Sequence, residues 1–195
     1  MKLNLPNSLT LIRIALTPFF IIFLFYDHPY AKLWALIIFL VASITDAFDG
    51  YYARKHNQVT EHGQFLDPLA DKILVSSALI SFAVLEVIPY WMVALIIFRD
   101  MFVTGLRMVM SNKGFSMVTS KIAKTKTSFQ IVIIVTILLY LGLGKLRYSW
   151  FSDIVAITNE YDLIYNLTFI VTLFTVFTGI SYIYENRSSI RHFLS

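Results

Sequence analysis

The 195-residue chain contains no cysteine. That excludes disulfides, zinc–thiolate sites and cysteine nucleophiles, and leaves the redox compartment unread. Charge is also scarce: 14% of residues are Asp, Glu, Lys or Arg, against about 25% in ordinary soluble domains. There is no Gly/Ser linker, low-complexity tract or internal repeat, so residues 1–195 read as one domain. The N-terminus lacks the marks of a cleaved signal peptide. Lys2 is the only charge before Arg13, and no small-x-small site follows the first apolar run. That run reads as a retained span.

What fills the chain is apolar: 57% of residues are hydrophobic and the mean hydropathy is +0.70. The apolar residues come in long runs, the pattern of bilayer-spanning helices. Punctuation at Asp27–Pro29, His56–His62, Glu86–Pro89, Ser111–Gly114 and a polar connection after Gly144 divides them. Helices are expected near 8–26, 31–55, 63–85, 90–110, 118–143 and 162–185, followed by a basic tail. The fold class is therefore all-α, a polytopic membrane protein with six transmembrane helices. Six spans leave both termini on one side. That side collects Lys2, Arg13, Arg54, Lys55, Arg107, Lys113, Lys121, Lys124, Lys126, Arg187 and Arg191; the other has Lys32, Lys145 and Arg147. The net charge of +4 thus matters by its placement, and the positive-inside rule makes the richer side cytoplasmic. No aromatic-interleaved basic patch argues for nucleic acid. Trp34, Trp91 and Trp150 lie near helix ends, as interfacial anchors or packing residues.

Carboxylates inside spanning helices are costly and usually functional. Asp46 and Asp49, three apart, share a face at the end of the second helix; Asp67 and Asp71, four apart, share one at the start of the third. An antiparallel pair with a short loop would bring all four together at the cytoplasmic end. Mutual repulsion then calls for hard cations such as Mg²⁺, Mn²⁺ or Ca²⁺, and two divalent ions would balance the four charges. Paired metals about 4 Å apart suit displacement at phosphorus. The plainer alternative is a solvated helix–loop–helix with capping aspartates. Against it, Asp46 follows an uncharged run from Leu33 through Thr45. Gly50 follows Asp49, and Gly63 lies four before Asp67, where small residues permit close approach by a ligand or another backbone.

A second set of unusual charges is basic. Arg99 and Arg107 sit on the fourth helix, while Lys121 and Lys124 share a face with Ser128 on the fifth. Beside the acids they would make a cationic pocket for phosphate. Lys126 reads instead as a lysine snorkelling to anionic headgroups. For Arg99 the structural alternative is a bridge to neighbouring Asp100.

The stretch DAFDGYYARKHNQVTEHGQFLDPLAD reads D-x-x-D-G-x-x-A-R-x8-G-x3-D-x3-D, with Asp46, Asp49, Gly50, Ala53, Arg54, Gly63, Asp67 and Asp71 at its eight fixed positions. On this signature the chain resembles the CDP-alcohol phosphotransferases. PNSLTLIR, LDPLADK, RDMFVTGLR and SKIAKTKTSFQ look like the bacterial glycerophosphate branch, so the likeness extends to about residue 130. One departure is Asp100, where that branch often has Glu. The resemblance implies six transmembrane helices, a homodimer and a pair of Mg²⁺ or Mn²⁺ ions at the cytoplasmic face of the cell membrane. It also implies transfer of a phosphatidyl group from CDP-diacylglycerol to sn-glycerol 3-phosphate, releasing CMP. Carried over by position, Asp46, Asp49, Asp67 and Asp71 would hold metal, and Asp71 would be the general base or only a ligand. Asp49, Gly50, Ala53, Arg54 and Gly63 would form the CDP site, joined by Asn7 and Thr10. Arg99, Arg107, Lys121 and Lys124 would grip the acceptor's phosphate.

Two alternatives stand beside this. Inositol phosphate would use the same cations, whereas serine would need fewer. A cation transporter would use the acids as an ion site, but such sites tend to lie near the bilayer midplane within repeats, and no repeat is visible here.

Overall fold

A computed structural model describes residues 5–55, 61–113, 121–146 and 149–194, with side chains described at 10–45, 70, 72–111, 113, 126–146, 152–191 and 193. The described residues are helical: α1 (Leu5–Phe25), α2 (Ala31–Lys55), α3 (Glu61–Val84), α4 (Tyr90–Asn112), α5 (Lys121–Leu143), α6 (Ser149–Glu160), α7 (Leu163–Glu185) and α8 (Arg187–Leu194). The six long helices match the sequence expectation. The short ones, α6 and α8, were expected as a polar connection and a tail.

Contacts between neighbouring helices close a ring in the order α1–α2–α5–α7–α4–α3 and back to α1. Within it α4 and α7 run in the same direction. Trp91 meets Phe169 edge-on at 6.1 Å, and eight or nine residues later Arg99 meets Thr178. Short turns connect α1 to α2 and α3 to α4. Between α3 and α4, Glu86 adopts a left-handed φ of 58°. Its N–H donates to Ala83 O at 3.0 Å, and Val87 N–H donates to Phe82 O at 2.9 Å, closing the end of α3. At the same end of the ring, buried Lys32 donates to the carbonyls of Leu24, in the last turn of α1, and of Tyr26, just past its end. Lys145 Nζ also donates to Asp27 Oδ1 at 2.8 Å. That bond holds the Asp27 carboxyl below the usual carboxylate range.

The ring's interior is partly apolar, with Phe20, Phe39, Leu74, Phe82, Ile96, Ile134 and Leu138 in one cluster. It is also unusually polar: Arg13, Asp100, Lys126, Thr168, Thr172 and Thr175 are buried. Outward faces carry exposed Phe19, Ile22, Ile37, Val41, Ile80, Val84, Phe98, Phe102, Val132, Phe177 and Ile180. In water so broad an apolar exterior would drive aggregation; against lipid it costs nothing. This is the distribution of a membrane protein. Among the described residues, Lys126–Leu143 and Leu163–Glu185 are long and apolar enough to cross a bilayer, and shorter apolar stretches cover Thr10–Phe25, Ala31–Thr45 and Lys72–Val84. Trp34 and Trp91 are exposed near the starts of α2 and α4, as interfacial anchors would be.

Candidate active site

Helix periodicity extends the buried stripes into the signature. On α2 the buried positions Ala35, Phe39 and Ala42 continue by steps of four and three to 46, 49 and 53. On α3 the buried positions Ala78 and Leu74 lead back the same way to 71 and 67. The backbone thus puts Asp46 and Asp49 in the last turns of α2, and Asp67 and Asp71 in the first turns of α3. These two helices touch, and both pack on α1. Gly50, Ala53 and Arg54 follow on α2, Gly63 on α3 and Asn7 on α1. The side chains of these residues lie outside the described set, as do those of Lys121 and Lys124 in the first turn of α5. The expected meeting of the four carboxylates therefore falls outside it too. Thr10 is described and is buried, on the inward stripe of α1.

The cations of α4 are described in full. Arg99 Nη1 donates to Asp100 Oδ1 at 3.2 Å, and Nη2 donates to Thr178 Oγ1 at 3.1 Å. The bridge to Asp100, the structural alternative for Arg99, is therefore present. Asp100 is buried and is held from α5 as well: Lys126 Nζ donates to Oδ1, and Gln130 Nε2 donates to Oδ2 at 3.1 Å. Four residues apart, Lys126 and Gln130 clasp one carboxylate from one helix face. Lys72, next to Asp71 on α3, lies within electrostatic reach of both Asp100 and Lys126. The cationic network therefore adjoins the acidic end of α3. About two helical turns further along α4, Arg107 Nε donates to Tyr182 Oη at 3.4 Å, with its guanidinium 5.5 Å from the Tyr182 ring centre.

Lys126 requires a correction. It is 2% exposed and paired with Asp100, so it does not snorkel to headgroups. The buried carboxylate of Asp100 gives its ammonium a partner away from water. The sequence presents α7 as a last span only, whereas the structure has it hold both cations of α4. Thr178 receives Arg99, Tyr182 receives Arg107, and Gly179 lets Arg99 lie against the helix, since a Cβ there would stand 2.8 Å from Arg99 Cγ. A signal existed: Thr168, Thr172, Thr175 and Thr178 recur every three or four residues on an otherwise apolar helix, and all are buried.

Residues 3–181 match the sequence model of the CDP-alcohol phosphatidyltransferase family. The chain belongs to that family. Among its relatives, a CDP-diacylglycerol–glycerol-3-phosphate 3-phosphatidyltransferase of Bacillus subtilis is 39% identical over 200 residues, covering 96% of this chain and 97% of its own. An enzyme of the same description from Rickettsia bellii is 38% identical, over 92% of this chain and 93% of its own. A probable phosphatidylglycerophosphate synthase of Mycobacterium tuberculosis is 38% identical, over 92% and 80% respectively. For this CDP-alcohol phosphatidyltransferase, the match runs through α7 as far as Ser181 and so takes in Thr178 and Gly179.

Proposed function

We propose that the chain is a phosphatidylglycerophosphate synthase, which transfers the phosphatidyl group of CDP-diacylglycerol to sn-glycerol 3-phosphate and releases CMP. The observation that carries this is the complete eight-position signature on the adjoining ends of α2 and α3, beside a fixed cationic network on α4, α5 and α7. The signature supplies the donor side. The guanidinium of Arg99, anchored at Asp100 and Thr178, suits a phosphorylated acceptor.

The donor set fits a pair of divalent cations, Mg²⁺ or Mn²⁺. It is all oxygen and fourfold acidic, and it continues helix faces that are otherwise buried, where uncompensated carboxylates would be strongly unfavourable. Asp46, Asp49 and Asp67 would hold them, with Asp71 assisting. When bound, such ions neutralise diphosphate charge and stabilise departing CMP. The protein's own residues do the rest. Gly50, Ala53 and Gly63 leave space for the nucleotide, with Asp49, Arg54, Asn7 and Thr10 around it. Arg99, Arg107, Lys121 and Lys124 bind the acceptor's phosphate and aim its hydroxyl at the lipid-side phosphorus. Asp71 takes the hydroxyl proton as the new P–O bond forms.

Six spans, the signature end toward the cytoplasm of the cell membrane, and a homodimer complete the reading. They let acyl chains stay in lipid while the soluble acceptor enters from water.

The test is CMP release by purified protein with CDP-diacylglycerol and Mg²⁺, offered glycerol 3-phosphate, inositol phosphate, serine or no acceptor. Release with glycerol 3-phosphate alone, abolished in Asp71→Asn, is expected. Preference for another acceptor would overturn the acceptor assignment while keeping the chemistry.

A further inference from the structure

The buried stripe of α1 is Thr10, Arg13, Thr17, Phe20 and Leu24, and Arg13 within it is 1% exposed. A guanidinium so enclosed in an apolar bundle requires an anion at hand. The register of α1 against α2 indicates which. Phe20 and Phe39, both fully buried, meet across these helices with ring centres 5.9 Å apart. Arg13 lies seven residues from Phe20 toward the start of α1. Asp46 lies seven residues from Phe39 toward the end of α2. Seven residues are nearly two turns, about 10.5 Å of rise, and return to within about 20° of the same face. Because α1 and α2 are antiparallel neighbours, both steps lead the same way, and positions 13 and 46 stand opposite each other.

We propose that Arg13 is a positioning residue that faces position 46, pairs with the first carboxylate of the signature and offsets part of the charge gathered there. The offset rests on the cation-site reading given under Proposed function; the pairing does not. Arg13 thereby differs from Arg99 and Arg107, whose partners lie on α4 and α7.

The test is a double-mutant cycle on the purified, detergent-solubilised full chain in EDTA, reading apparent melting temperature for wild type, Arg13→Gln, Asp46→Asn and the double variant. Arg13→Gln should lower it by roughly 5–15 °C, as loss of a buried ion-pair partner does. Asp46→Asn should be more favourable in the Arg13→Gln background than in wild type by roughly 5 °C or more, because only there does it remove a charge left unpaired. Losses that add overturn the pairing. Should Arg13→Gln yield no folded protein, recovery with Asp46→Asn but not with Asp67→Asn supports the pair, and recovery with both or with neither overturns it. A parallel series adds Mg²⁺. The Mg²⁺-induced rise in Arg13→Gln should be at least twice that of wild type, since the cation replaces the missing positive charge; an equal rise overturns the charge-offset role. A wild type that does not respond to Mg²⁺ removes the cation-site reading itself, and the coupling in EDTA then decides the pair alone.

Discussion

Lys126 and Asp100 are each buried because the other is present. Neutralising only the lysine leaves Asp100 with Gln130 and Arg99 but without its closest cation. Lys126→Met is therefore expected to destabilise the protein by about 3–5 kcal/mol, measured by thermal or denaturant unfolding in detergent. The double change Lys126→Met/Asp100→Asn should recover part of that loss. Gly179 tests the site more finely. A methyl at this position would sit 2.8 Å from Arg99 Cγ and 3.3 Å from Nε, near the root of the side chain, so the guanidinium must move off Thr178. Gly179→Ala should raise the KM for glycerol 3-phosphate about tenfold, the loss of one charge-assisted hydrogen bond, and leave the KM for CDP-diacylglycerol unchanged. Steady-state kinetics with each substrate varied in turn would check it. In the sequence, Arg99 and its bridge to Asp100 were readable because the residues are adjacent. Thr178 was not, because its meeting with Arg99 is a contact between helices separated by 79 positions.

The helices themselves follow from local pattern: apolar runs broken by Pro29, Pro89 and polar clusters end where the structure ends them, within a few residues. The turn after α3 is one such ending. Glu86 occupies the left-handed position that glycine adopts without strain. Glu86→Gly should stabilise the protein by about 1 kcal/mol, seen as a higher melting temperature with unchanged turnover; a lower one would mean that the Glu86 side chain has a role of its own. The two short helices were harder to foresee. In α6 and α8, polar residues alternate with apolar ones over only a few turns, a length at which helix formation depends on docking more than on propensity. Both pack against α7.

At the scale of the molecule, the alternating directions of the helices collect chemistry at one end of the ring and leave Asp27, Lys32 and Lys145 at the other. The absence of cysteine makes this arrangement directly testable. Single cysteines replacing exposed His28 and exposed Ser111 report on opposite ends. In intact cells a membrane-impermeant maleimide should label His28→Cys readily. It should reach Ser111→Cys only after permeabilisation. Equal labelling of both would contradict the proposed orientation.

The sequence by itself determined the six long helices and the signature, because each rests on residues near one another along the chain: an apolar period, a run of fixed spacings, acids where acids are costly. It also determined membership of the family, which the match over residues 3–181 bears out. The tertiary structure alone decided which charges face which. It closed the ring, paired Lys126 with Asp100, laid Arg99 against Gly179 and enclosed Arg13. The physical reason is that a charge's fate in an apolar medium is set by its nearest opposite charge. For Lys126 that partner, Asp100, lies on another helix.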